Sequence, residues 1–195
     1  MGTRAPCLMV EGTGSGVGKS LLVTALCRLF ARAGYRGLLQ VPEHVPERRR
    51  HDPRAGRSAA PRRPRQRPAG IEPTVDVNPI LLKPEADDRS QVVVRGVAER
   101  RFAYREYAGM RSRLLEVIRE SLERLRAGFD LEVIEGAGSP AEINLADTEL
   151  VNMSVARMAD APVLLVGDID RGGVFAALLR TLDLPAVAKL VELAW

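Results

Sequence analysis

The sequence predicts an α/β fold of the P-loop NTPase type, a mostly parallel sheet with helices on both faces. Short apolar runs alternate with stretches of helical spacing, as in successive βαβ units. The runs end on glycine-rich or acidic turns, where open sheets bind ligands. The first of those turns closes with Gly18-Lys19-Ser20. At 195 residues, with 46% hydrophobic and 28% charged, the chain has the size and balance of one globular domain.

Taken in order, the run from Ala5 to Val10 is read as a buried parallel strand ending at a glycine cluster. Leu21, Leu22, Ala25, Leu26, Leu29 and Phe30 then mark one helix face, with Gly34 as its stop. A second strand is expected from Gly37 to Val41. The text from Ile71 to Pro84 reads as turns around a short apolar stretch, and Gln91 to Arg95 as a strand. Leu114, Leu115, Ile118, Leu122 and Leu125 signal a long amphipathic helix. Strands at Leu131–Ile134 and Pro162–Val166 flank a helix at about Val151–Ala159, and helical spacing resumes at Val174–Leu182 and from Ala186 onward.

The net charge of +4 suggests a nucleic-acid binder until its distribution is considered. Between Pro46 and Pro68 lie nine Arg and five Pro against only Glu47 and Asp52, and the other 172 residues carry −3. That segment has no apolar periodicity and no aromatic residue for base stacking, which argues against nucleic acid as a partner. No apolar run reaches the length of a membrane span, and the first residues lack a signal-peptide core, so a cytoplasmic protein is expected. Cys7 and Cys27 fall in apolar stretches and are read as buried, inert thiols rather than a redox pair. The only histidines, His44 and His51, lie in the atypical middle, so histidine-based triads and metal sites have little support.

The strongest chemical signal is Gly12-Thr13-Gly14-Ser15-Gly16-Val17-Gly18-Lys19-Ser20, between an expected strand and an expected helix. Glycines let main-chain N–H groups converge on a polyphosphate, and the helix N-terminus adds partial positive charge. Lys19 is expected to offset the charge of ATP phosphates and the Ser20 hydroxyl to ligate Mg²⁺. Thr13 stands where the strict pattern has its first glycine, and Gly12 serves one place earlier. Glu135, at a strand end, is the second candidate catalytic and Mg²⁺ group, with Gly136 and Gly138 opening space for phosphate or substrate. Asp168 and Asp170 either orient Mg²⁺, water or substrate, or pair structurally with Arg171. Lys83 is either a contact for a carboxylate substrate or a solvated side chain.

These loops carry a resemblance. The phosphate loop looks like that of dethiobiotin synthetase and the cobalamin-pathway amidotransferases. Ile71-Glu72-Pro73-Thr74, Asn78-Pro79-Ile80-Leu81-Leu82-Lys83-Pro84, Ser90-Gln91-Val92-Val93, the run from Glu135 to Leu145 and the run from Gly167 to Phe175 narrow it. Together, over residues 6–36 and 71–182, they closely resemble the N-terminal synthetase domain of the cobyric acid synthase family. The resemblance implies a glutamine-dependent ligase that amidates peripheral carboxylates of adenosylcobyrinic acid a,c-diamide through acyl phosphates. It implies a corrinoid substrate and ammonia from a glutaminase domain that is missing here. The synthetase domain is then 1–182, with an atypical segment at 42–70 and a tail at 183–195 that leaves the fold incomplete at its C-terminus. The competing reading is a nucleotide-binding module without catalysis, its basic loop contacting an acidic partner.

After its second strand the family has a run of the form Phe-Lys-Ser-Gln-Asn-Met-x-Leu-Asn, where this chain has Gly37-Leu-Leu-Gln-Val-Pro-Glu-His-Val-Pro-Glu47. Permissible codons for the latter, read one base later, give Ala-Ser-Phe-Lys-Ser-Gln-Asn-Met-Ser-Leu-Asn. We therefore expect a local frame change restored just before Ile71. Sequencing the DNA across codons 36–71 should show the family run in the other frame, and its absence throughout overturns the frame change.

Overall fold

In the computed structural model, which describes residues 4–40, 43–44, 74–86, 89–141, 150–184 and 187, the α/β alternation organises around two sheets. Strands β1 (Cys7–Gly12), β2 (Gly37–Gln40), β7 (Leu131–Glu135) and β8 (Val163–Val166) form a parallel sheet in the order β2-β7-β1-β8. Strands β3 (Glu43–His44), β4 (Ile80–Ala86), β5 (Arg89–Val94) and β6 (Val97–Ala103) form the second sheet, antiparallel from β4 to β6. Helices α1 (Lys19–Arg32), α2 (Tyr104–Gly128), α3 (Met153–Ala159) and α4 (Val174–Leu182) complete the architecture. Apart from Glu43 and His44, the atypical segment 42–70 lies outside the described residues, as does most of the tail. Among the described residues no helix is long and apolar enough to cross a membrane.

Side-chain alternation along the parallel strands assigns each face of the sheet its helices. Val10 and Val133 pack with Val23 and Cys27 of α1, joined by Leu22, Leu26 and Phe30. Cys7, Met9, Ile134 and Val163 point the other way, onto Leu114, Ile118 and Leu122 of α2 and Val155, Ala156 and Ala159 of α3. Helices thus cover both faces, as the sequence predicts. Both cysteines are buried, and desolvation pushes their thiols up, to about 12 for Cys7 and about 11 for Cys27.

The second sheet is the main departure from the sequence reading, which took Ile71 to Pro84 as turns around a short apolar stretch, where Ile80–Ala86 is a strand. It also ran the next strand from Gln91 to Arg95, where the strand is Arg89–Val94 and Arg95 turns into a hairpin. The turn joining β5 to β6 is Arg95-Gly96, with both residues at positive φ (45° and 82°), the geometry of a two-residue hairpin turn. Arginine is a poor signal for that conformation, and Val97-Ala-Glu-Arg-Arg-Phe-Ala103 has little alternation. Arg95 is held there from its far end. Its guanidinium donates to the Val117 carbonyl at 3.0 Å, to Glu120 at 2.7 Å and to Ser121 at 3.2 Å, all on α2. Ile80, Val92 and Val94 complete the contact by packing into the α2 core.

One core position breaks the apolar pattern. Glu132 of β7 is fully buried beside Cys7, its neighbour in register, and neither carboxylate oxygen has a hydrogen-bond partner. Desolvation raises its pKa to about 8, partly opposed by the Arg126 guanidinium. A carboxyl raised in the folded state favours folding while it is protonated, so its contribution is complete below the ordinary value of 4.5 and disappears as the pH passes 8. Urea denaturation of Glu132→Gln and the parent chain between pH 5 and 9 should therefore show the variant's relative stability growing with pH. A constant difference contradicts the buried neutral carboxyl.

Candidate functional site

Lys83 excepted, the residues singled out in the sequence converge at the C-terminal edge of the parallel sheet. Here the chain leaves β1 with β7 on one side and β8 on the other, the kind of crevice in which open sheets take ligands. The Thr13 N–H donates to the Val166 carbonyl at 2.9 Å, tying the glycine loop to the end of β8. Gly16 and Gly18 take positive φ, 78° and 101°, so that the loop turns into α1 with Gly18 at the N-cap. Gly12 is needed for a different reason. A Cβ there would stand 2.6 Å from a Val17 methyl and 3.0 Å from the Lys19 ammonium, filling the curl of the loop.

Lys19 folds back into that curl. Only 7% exposed, it donates to the Gly14 carbonyl at 2.9 Å and to the Gly138 carbonyl at 2.6 Å, joining the loop after β1 to the loop after β7. Ser20, one residue on, donates its hydroxyl hydrogen to Glu135 Oε1. Glu135 faces α1 because it keeps the side-chain parity of Val133. The structure thus brings together Gly12, Thr13, Gly14, Ser15, Gly16, Val17, Gly18, Lys19, Ser20, Glu135, Gly136 and Gly138. A hydroxyl and a carboxylate in contact beside a lysine suit a hard cation held by few protein oxygens, with phosphate supplying others.

Asp168 and Asp170 divide. Asp168 makes an ion pair with Arg171 at 3.0 Å and accepts the Asp170 N–H at 3.0 Å, so the structural pairing weighed in the sequence is present. Arg171 in turn reaches the glycine loop, its guanidinium 3.9 Å from where a Cβ on Gly16 would stand. Asp170 is exposed at the turn. Lys83 belongs to β4 of the second sheet, apart from the strands that carry the loops.

Two buried residues escaped the sequence reading. Glu11, the last side chain before the glycines, is fully buried, and its carboxylate lies against the α-carbon of Gly136. Asn152, at the N-cap of α3, donates from Nδ2 to the Ala137 carbonyl at 3.0 Å and accepts the Ala137 N–H on Oδ1 at 2.9 Å. The signal for Asn152 was a capping residue at a helix start, which ordinarily means only a cap.

With the site described, its relatives can be compared. No family model matches the chain. It is 51% identical over 180 residues to a cobyric acid synthase of Dehalococcoides mccartyi strain CBDB1, an alignment covering 92% of this chain and 36% of the relative. A cobyric acid synthase of Sorangium cellulosum is 51% identical over 177 residues, covering 91% of this chain and 34% of that protein. This chain is a relative of the cobyric acid synthases. A probable cobyric acid synthase of Methanothermobacter thermautotrophicus, 47% identical over 181 residues, extends the similarity to a further genus. The chain spans about a third of the length of these cobyric acid synthases, and the aligned portion covers nearly all of it.

The packing of Glu11 on Gly136 sets a test. A Cβ on Gly136 would overlap the whole Glu11 carboxylate, which has no exposed space to move into, whereas a Cβ on Gly14 meets only a Val17 methyl at 3.9 Å. Urea denaturation should show Gly136→Ala destabilised by about 2 kcal/mol, the usual cost of overpacking, and Gly14→Ala within about 0.5 kcal/mol of the parent. Equal effects contradict the packing described.

Proposed function

We propose that the chain is the ATP-using synthetase part of a cobyric acid synthase, a carbon–nitrogen ligase of cobalamin biosynthesis. In this reading glutamine-derived ammonia amidates peripheral carboxylates of a corrinoid, adenosylcobyrinic acid a,c-diamide. The observation that carries it is the convergence of Lys19, Ser20 and Glu135 at the edge of the sheet, in a chain about half identical to proteins of that name. Activity requires the rest of the reaction machinery as well, including a source of ammonia.

In this reading the glycine loop holds the ATP phosphates by its main-chain N–H groups, with Lys19 against the terminal oxygens. Lys19 is poised for that exchange, since Gly14 and Gly138 offer it carbonyls and a phosphate oxygen is a stronger, charged acceptor. Ser20 and Glu135 would hold Mg²⁺, whose chemistry is to neutralise charge developing on the transferred phosphoryl group. Gly138 is assigned to leaving the approach to that group free of a side chain, so that a substrate carboxylate reaches it, whereas the space expected beside Gly136 is filled by the buried Glu11 carboxylate. Phosphoryl transfer makes the carboxylate an acyl phosphate, and ammonia then displaces phosphate to leave the amide. Asp168 is assigned to orienting Arg171 at the rim, and Lys83 and Asp170 to contacts with substrate.

Equilibrium binding of ATP with Mg²⁺ tests the site. Lys19→Ala should weaken it at least about tenfold, the value of a charge-assisted contact to phosphate. Ammonia-dependent phosphate release with the corrinoid present then separates a ligase from a binding module. Tight binding with no release under any ammonia concentration favours the module.

A further inference from the structure

Asn152 occupies the N-cap of α3, where an asparagine side chain ordinarily accepts a main-chain N–H of the first helical turn. It makes no such hydrogen bond. Its amide is turned instead onto the peptide of Ala137, accepting from the N–H at 2.9 Å and donating to the carbonyl at 3.0 Å. Only one orientation of the amide satisfies both, so the pairing is specific. Asn152 is 5% exposed, which makes each of these bonds costly to leave unmade. Forgoing the cap costs helix α3, a helix of only seven residues, one of its few local stabilisers.

What the pairing holds is the link to Lys19. Ala137 lies between Gly136, whose N–H donates to the Val10 carbonyl at 2.9 Å, and Gly138, whose carbonyl accepts from the Lys19 ammonium at 2.6 Å. Gly138 has φ +60°, and neither glycine has a side chain to restrain the loop. Two hydrogen bonds from Asn152 therefore fix the peptide next to the one that receives the ammonium.

We propose that Asn152 is a positioning residue for Lys19, spending the α3 cap to hold the Gly138 carbonyl where it keeps the ammonium aimed into the phosphate loop. Its consequence for nucleotide rests on the function proposed above, whereas its hold on Lys19 does not.

The test uses Asn152→Ser in the full chain. Serine is a good N-cap, so it can restore the local cap while removing both bonds to Ala137. Acylation of Lys19 by an N-hydroxysuccinimide ester, followed by mass spectrometry without nucleotide, should rise about threefold, because the ammonium loses a fixed acceptor. Asn152→Asp, which keeps the acceptor and gives up the donor, should fall between. Val155→Ala thins the fully buried core position of the same helix without touching the loop and should label as the parent does. Labelling of Asn152→Ser equal to the parent, or a rise in Val155→Ala as large as its own, overturns the proposal. In a parallel arm, Asn152→Ser should weaken ATP binding with Mg²⁺ about tenfold. If Lys19→Ala binds ATP as the parent does, the proposed function fails and the labelling arm still decides the role of Asn152.

Discussion

A single ammonium group, almost wholly removed from water, is the constraint around which the site is arranged. Charged nitrogen is costly to bury unless acceptors replace the lost hydration. Lys19 obtains them from two main-chain carbonyls, Gly14 in its own loop and Gly138 some 119 residues away. For both to reach one atom, the ends of β1 and β7 must be level. The parallel register, with Val10 opposite Glu135, provides that alignment. The glycines follow from the same demand, because side chains at Gly12 or Gly136 would stand where the ammonium or the Glu11 carboxylate now lies.

Strand parity distributes the acidic groups around this centre. Glu135 emerges on the α1 face and meets Ser20, while Glu11 and Glu132 emerge on the α2 face, deep in the structure. The same residue type therefore does three different things within two adjacent strands. Glu135 has a hydroxyl at hand, Glu11 is packed on a glycine, and Glu132 is kept by its surroundings from ionising easily. The face of the sheet separates Glu135 from the other two, and position along the strands separates Glu11, beside Gly136, from Glu132, beside Cys7.

Much of this was legible in the amino-acid sequence, for identifiable reasons. The glycine loop, Lys19, Ser20 and Glu135 stood out because phosphate chemistry demands those types at strand ends, and the parallel sheet because buried strands are continuous apolar runs. The β5–β6 hairpin was hidden because Arg95 adopts a conformation that glycine or asparagine would have advertised, held by contacts to α2 that no local pattern encodes. Asn152 was hidden by resembling an ordinary cap, and Glu11 by sitting in an apolar strand. The ambiguity at Asp168 came down to which neighbour a flexible arginine reaches, a question of three-dimensional proximity.

The strand order carries a consequence for how such a chain comes into being. Although β1 precedes the other strands of its sheet in sequence, its two lateral neighbours are β7 and β8, and β2, the next strand of that sheet to be synthesised, does not pair with it. The anchor for Thr13 is Val166, so the nascent loop has to wait for the synthesis of every residue between the two before it can close. Such distant pairings make acquisition of the native topology slow and late. Throughout that interval the Met9 and Val10 side chains lack the strands that later enclose them, and a chaperone has its longest opportunity to engage the emerging segment.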